Sequence, residues 1–325
     1  MLTLAAFAIA LLVSALLSWW LAQARGRWQV LDTPNDRSLH SQLIPRTGGI
    51  AILLGSTAGI VTLRVWQNYD VAGWPLYTVV VIQAIIAMAD DRHTLGAGLR
   101  LLVQIGVVAF LLYHYRPEDL GMPLMLIALL FLVWMINLYN FMDGMDGFAA
   151  GMAIFGFGTF TALGWQTGQV EFAQGCAILV AASTGFLLFN FPPARLFMGD
   201  VGSTILGLLA GVVILEAHLN DILPFWLGIL VFSPFIVDAS VTLSRRILRR
   251  ESFWLPHKSH YYQRLVESGW GHRRTVLAEY GLMLACSGSA LFAAACPAPG
   301  QWLIIAAWAV IYGILIARLY TIILK

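Results

Sequence analysis

The sequence predicts an all-α polytopic membrane protein of about eleven transmembrane helices, built as a single integral-membrane domain over residues 1–325. Three observations predict it. First, 59% of the residues are hydrophobic and only 11% are charged, whereas globular domains carry about 25% charged residues. Second, apolar runs of roughly 17–25 residues, each long enough to cross a bilayer, recur along the whole chain. Third, the connectors alternate between polar, basic segments and short links poor in basic residues.

The runs follow in order. Residues 2–22 end before Arg25 and Arg27, and no basic segment precedes them, so they read as a retained helix and not a signal peptide. Residues 48–66 follow Pro45 and Gly48-Gly49, and 73–89 stop at Asp90-Asp91. Residues 99–115 stop at Arg116, and 121–139 lead into an acidic, glycine-containing segment. The runs 148–165 and 172–190 are joined by a short link. Residues 202–217 follow Gly199-Asp200, 222–243 end at Ser244 and a run of arginines, and 275–296 and 301–322 complete the set.

Of the 19 Lys and Arg residues, 17 fall in one set of connectors, leaving only Arg64 and Arg116 opposite. The positive-inside rule makes that first side cytoplasmic, with the N-terminus outside and the C-terminus inside. Because the basic residues are confined to loops, the net charge of +2 gives no reason to expect nucleic-acid binding. Cys176, Cys286 and Cys296 have no metal-site spacing and read as small apolar packing residues.

The polar clusters all fall on the basic side. Asp90-Asp91 ends a span, where acids oppose the helix dipole, so the pair reads as linked to a metal or phosphate, or as containing a general base. The alternative is a solvated turn paired with Arg92. Asn137-Leu138-Tyr139-Asn140-Phe141-Met142-Asp143-Gly144-Met145-Asp146-Gly147 puts two amides, two carboxylates and two Asp-Gly steps at a membrane exit. Hard oxygen ligands in such a cluster suit a divalent cation holding a phosphate. Phe197-Met198-Gly199-Asp200-Val201-Gly202-Ser203 opens a span, where free N–H groups attract anions, though Asp200 also fits a plain N-cap. In the first loop, Arg37, His40 and Arg46 suit either a phosphate or anionic lipid heads. In the longest loop, His257, Lys258 and His260 read as donors to a diphosphate. Asp238 lies inside a span, where an ionisable residue is either functional or paired with a neighbouring Arg. A transporter or flippase would place its ionisable residues near the midplane. Here Asp238 alone is a candidate for that, and the other acids gather at one face.

Taken in order, these residues resemble the polyprenyl-phosphate N-acetylhexosamine-1-phosphate transferase family. The match rests on Asp90-Asp91, on N-x-x-N-x-x-D-G-x-x-G from Asn137 to Gly147, and on Phe197-Met198-Gly199-Asp200. It also includes Pro45 with Gly48-Gly49 and the histidine loop. The resemblance implies a Mg²⁺-dependent enzyme, with Mn²⁺ as an alternative ion, usually dimeric, in the bacterial inner membrane with its site on the cytoplasmic face. It implies transfer of a sugar 1-phosphate from a UDP-sugar to undecaprenyl phosphate with release of UMP. Asp200 is then the principal metal ligand, with Asn140 and Asp143 beside it. Asp90 deprotonates or orients the lipid phosphate, and Asp91, Asp143, His257 and His260 complete the catalytic set. Asn137, Asp143, Asp146, Asn190 and Phe197 are the implied substrate contacts, joined by Arg37, His40, Arg46 and Lys258. The histidine loop departs from the family's H-x-H-H or H-H-H pattern, reading His257-Lys258-Ser259-His260. That departure and the first loop resemble the branch that initiates O-antigen or other surface glycans on N-acetylated hexosamines or deoxyhexosamines.

Overall fold

The computed structural model describes residues 2–23, 30–32, 39, 43–67, 73–93, 95–115, 121–251 and 258–323. Thirteen helices dominate them: α1 (Leu2–Gln23), α2 (Gly48–Gln67), α3 (Trp74–His93), α4 (Ala97–His114), α5 (Met122–Met142), α6 (Phe148–Gln166), α7 (Val170–Asn190), α8 (Gly199–Leu219), α9 (Phe225–Val231), α10 (Ser233–Leu248), α11 (Tyr261–Leu265), α12 (Gly271–Ala294) and α13 (Ala298–Ile323). A π-helical turn, Val266–Trp270, links α11 to α12. Ten helical segments are long and apolar enough to cross a membrane, and α9 with α10 makes an eleventh span if counted as one.

The expected ninth span, 222–243, is not a straight helix. It is bent by 85° between α9 and α10. Pro234 lies in the first turn of α10; it has no N–H to continue α9 and its ring would clash with the preceding turn. Ser233 caps the break, donating to the Leu230 carbonyl at 2.7 Å. The third and fifth spans run further than the apolar pattern, which puts Asp90 and Asp91 inside α3 and Asn140 inside α5. The first loop contains one small antiparallel pair, β1 (Leu31–Asp32) with β2 (Ile44–Pro45).

Helices α6 and α8 form the most buried part of the bundle, and α13 is the least buried of the spans. The core runs through Tyr139, Phe148, Phe157, Phe160, Phe186, Phe232 and Phe235. Because the spans alternate in direction, the C-terminal ends of α3, α5, α7 and α10 and the N-terminal ends of α2, α4, α6, α8 and α12 gather at one end.

The tightest joint at that end is between α2 and α8. Gly48 and Gly49 donate backbone N–H groups to the carbonyls of Phe197 and Met198 at 2.9 and 2.7 Å, and Phe197 donates to Pro45 at 2.7 Å. A Cβ on Gly49 would overlap the backbone of Gly202. Gly199 has φ +71°, and a Cβ there would overlap the Arg46 carbonyl. Glycine is required at both places, because neither backbone has room to withdraw.

Gly49→Ala should therefore lower the thermal midpoint in detergent, by the equivalent of about 1–3 kcal/mol for overpacking. Gly281→Ala is the control, since a Cβ there meets nothing within 4 Å. Its midpoint should hold or rise.

Candidate active site

Two acids at the end of α3 take different cationic partners. Asp90 is buried, at 6% exposure. Its Oδ1 accepts the Leu95 N–H at 2.7 Å, and its Oδ2 accepts Nη1 of Arg100 at 2.7 Å. The same Arg100 nitrogen lies 3.8 Å from Oδ2 of Asp200. The Asp90 and Asp200 carboxyls are themselves close enough to interact directly. Arg100 thus stands between two acids that would otherwise repel each other.

Asp91 instead pairs with Arg46, which donates Nε at 2.8 Å and also Nη2. The Asp91 carboxylate also accepts the backbone N–H of Asp200. An acid that is unfavourable at the C-terminus of its own helix is thereby favourable at the N-terminus of α8. Burial alone would lower the Arg46 pKa, but Asp91 outweighs it and the guanidinium is held above its ordinary value.

Beside the Asp90–Arg100 pair, a small cleft is lined by Gln83, Ile86, Ala87, Asp90, Arg100, Gln104, Asn137, Asn140, Phe141, Asp200 and Thr204. Asn137 donates to Gln104 Oε1 at 2.7 Å and to the Val133 carbonyl at 2.8 Å. Asn140 accepts Ser203 Oγ at 2.7 Å. Asp143 caps the end of α5. Burial pushes its carboxyl well above the usual carboxylate range, with Asp200 and Asp91 adding to the effect and Arg46 opposing it. The structure thus brings together Asp90, Asp91, Asp143, Asp200, Asn137, Asn140 and Arg46.

Other expected residues sit in the supporting framework. Asn190 uses both ends of its amide, accepting the Gly147 N–H and donating to the Leu196 carbonyl, each at 2.9 Å. Phe197 joins the seam with the first loop through its backbone. Asp146 accepts the Ala194 N–H at 3.0 Å and lies 3.0 Å from Nδ1 of His272. Lys258 lies 3.4 Å from Glu267. His260 is buried, with Nδ1 3.2 Å from Asp238.

Asp238 does not pair with an arginine among the described residues. Its carboxylate accepts the Tyr261 and Tyr262 N–H groups at 3.0 Å each and Thr242 Oγ1 at 3.1 Å. It thereby holds the start of α11, and the deep acid that a transporter would need is tied to backbone. Tyr262 in turn donates to the Phe141 carbonyl at 3.2 Å, fastening the histidine loop to the end of α5. Arg37, His40 and His257 lie outside the described residues. Arg100, Gln104, Ser203 and His272 were not singled out from sequence. Arg100 counted only as a topology charge, Ser203 appeared only as the last residue of the 197–203 segment, and Gln104 and His272 belong to no motif.

Asp90, Asp143 and Asp200 with the Asn140 amide offer hard oxygens. Among the described residues, no three His, Cys, Asp or Glu side chains converge as a preformed metal cage. Hard carboxylate and amide oxygens are the donor type that Mg²⁺ takes, usually one or two carboxylates plus substrate phosphate oxygens.

Fold and site together define a multi-pass membrane protein with one acid-rich cleft at one end of its helical bundle. Residues 74–218 match the model of glycosyl transferase family 4. A probable undecaprenyl-phosphate N-acetylglucosaminyl 1-phosphate transferase of Bacillus subtilis (strain 168) is 30% identical over 278 residues, covering 80% of this chain and 76% of that protein. A phospho-N-acetylmuramoyl-pentapeptide-transferase of Geobacillus kaustophilus (strain HTA426) is 31% identical, covering 75% and 82%. An undecaprenyl-phosphate alpha-N-acetylglucosaminyl 1-phosphate transferase of Yersinia pestis is 26% identical, covering 75% and 72%. The chain belongs to the polyprenyl-phosphate N-acetylhexosamine-1-phosphate transferase family.

The Arg46–Asp91 pair should be energetically coupled. Arg46→Ala and Asp91→Ala are each expected to lower the thermal midpoint, and the double variant should lose less than their sum. A coupling of about 0.5–3 kcal/mol is the range for contacting pairs. Strict additivity would mean that the two side chains do not support each other.

Proposed function

We propose that the protein transfers a sugar 1-phosphate from a UDP-sugar to undecaprenyl phosphate and releases UMP. In this reading an oxygen of the lipid phosphate attacks the β-phosphorus of the donor. The bond from that phosphorus to the UMP oxygen breaks, and a lipid-linked sugar diphosphate forms. The observation that carries the reading is the Asp90–Arg100–Asp200 cluster. It opens on a cleft whose wall also includes the apolar Ile86, Ala87 and Phe141. Charged groups for two phosphates and apolar surface for a lipid tail therefore share one space.

Asp90, fixed by Leu95 and Arg100, takes the proton of the lipid phosphate or orients it. Arg100 offsets the negative charge gathered between the substrates. Asp200, Asp143 and Asn140 would hold Mg²⁺, with Mn²⁺ as an alternative. When bound, the ion offsets phosphate repulsion and the charge that develops on the leaving UMP. Lys258, His260 and His257 are assigned to the donor diphosphate. Further parts of the proposal are an N-acetylated hexosamine or deoxyhexosamine donor, a role in initiating O-antigen or another surface glycan, and a homodimer. The protein is placed in the bacterial inner membrane with its N-terminus outside and its site on the cytoplasmic face. The support for this orientation is the 17 of 19 basic residues on one side.

The test is incubation of purified protein with undecaprenyl phosphate, Mg²⁺ and a panel of UDP-sugars, measuring UMP. Asp200→Ala should reduce release to background while the thermal midpoint holds. Asp90→Asn should lower kcat by about 10²–10⁴-fold with little change in donor KM. Near-normal turnover of either variant would remove that residue's assigned role. Single-cysteine variants in a cysteine-free background test orientation. Position 169 should label from outside and position 258 only from the cytoplasmic side.

A further inference from the structure

His272, the second residue of α12, joins parts of the chain that are remote in sequence. Nδ1 lies 3.0 Å from Oδ1 of Asp146, and Nε2 lies 3.1 Å from the Leu39 carbonyl oxygen, 233 residues away. A carbonyl oxygen can only accept, so Nε2 carries a hydrogen and donates to it. Nδ1 faces the carboxylate oxygen and, at 3.4 Å, the Asp146 N–H. Protonated, the ring donates to both acceptors at once as charge-assisted hydrogen bonds; neutral, it keeps the Leu39 bond and its Nδ1 accepts the Asp146 N–H. The second carboxylate oxygen of Asp146 is occupied by the Ala194 N–H at 3.0 Å. Two segments therefore meet on one imidazole, the first loop and the 143–147 turn, and Asp146 ties the 191–198 loop to them.

We infer that His272 is a positioning residue for the donor half of the site, setting through Asp146 and Leu39 the wall against which the nucleotide binds. This rests on the transferase reading above. Two placements point to the donor and away from the lipid. The acid-lined cleft draws its wall from α3, α4, α5 and α8 and includes apolar side chains suited to a lipid tail. The His272 clasp is built from loops and the start of α12, and none of its residues lines that cleft. The clasp is also continuous with the catalytic turn. Asp146 is three residues from Asp143, and Gly147 is bonded to Asn190, which fixes the 191–198 loop. With side-chain exposures of 19% and 12%, the pair is screened enough by protein for its loss to be felt.

Kinetics of the full-length protein in mixed micelles test the assignment. His272→Ala should raise the UDP-sugar KM about tenfold or more, leave the undecaprenyl phosphate KM unchanged and lower kcat by less. His272→Asn keeps an amide nitrogen near the Nδ1 position, and His272→Gln keeps one near Nε2. Recovery of donor KM by Asn assigns the effect to Asp146, and recovery by Gln assigns it to Leu39. Hydrogen exchange at the Ala194 amide should quicken in His272→Ala, whatever the turnover. An unchanged donor KM overturns the inference. So does a similar rise in both KM values with a lowered thermal midpoint, which would mark a general scaffold residue. If the parent protein releases no UMP from any UDP-sugar, the transferase reading and the donor assignment fall together. Exchange at Ala194 then still decides whether the clasp exists.

Discussion

Negative charge crowded at one end of a membrane bundle is the constraint on which the site depends. Asp90, Asp91, Asp143 and Asp200 come from two helices and a turn, and all interact within one region. Taking carboxylates out of water is unfavourable unless each finds a cation or donors. Two arginines meet that need differently. Arg46 is committed to Asp91 and reaches towards Asp32 at 3.9 Å. Arg100 is shared between Asp90 and Asp200 and leaves them close together. The first arrangement is a fixed strut. The second is a partly compensated acid pair, and partial compensation leaves it receptive to another cation.

Much of this was legible in the sequence. The spans, the gathering of polar clusters on one side and the motif residues Asp90, Asn140, Asp143 and Asp200 follow from composition and spacing, because transmembrane length and one-sided placement are local properties. The 85° bend at Phe232 was not read, although Ser233-Pro234 signals it. An uninterrupted apolar run looks the same to a length criterion whether or not its helix is broken. The apolar pattern of the fifth span stops at Tyr139 because Asn140 interrupts it, whereas α5 runs on to Met142.

Partnerships were less legible than residues. Asp91 looked like the twin of Asp90, yet its main work is to hold Arg46 and the start of α8. Asp238 looked like a deep ionisable site, and it is the anchor for the backbone of α11. Asn190 presents no free amide end, because Gly147 and Leu196 occupy it. Asp91 is held by a side chain 45 residues away, whereas Asp238 and Asn190 are held by backbone groups, which carry no signature in a sequence. Arg100 shows the converse, a lone basic residue whose meaning depends on two acids from other helices.

The seam between residues 45–49 and 197–202 has a consequence for how this architecture can diversify. Three backbone hydrogen bonds and the contact between Gly49 and Gly202 weld the two segments into one rigid body. An insertion on either side of the weld would displace Asp200 directly, with no side chain between to absorb the error. The turn at 167–169, on the opposite end, carries no comparable lock. Tolerance to length change is thus polarised along the membrane normal. New loops, tags or fused domains can accumulate at the end away from the cleft, while the seam admits changes of side chain outside its glycines but not of register.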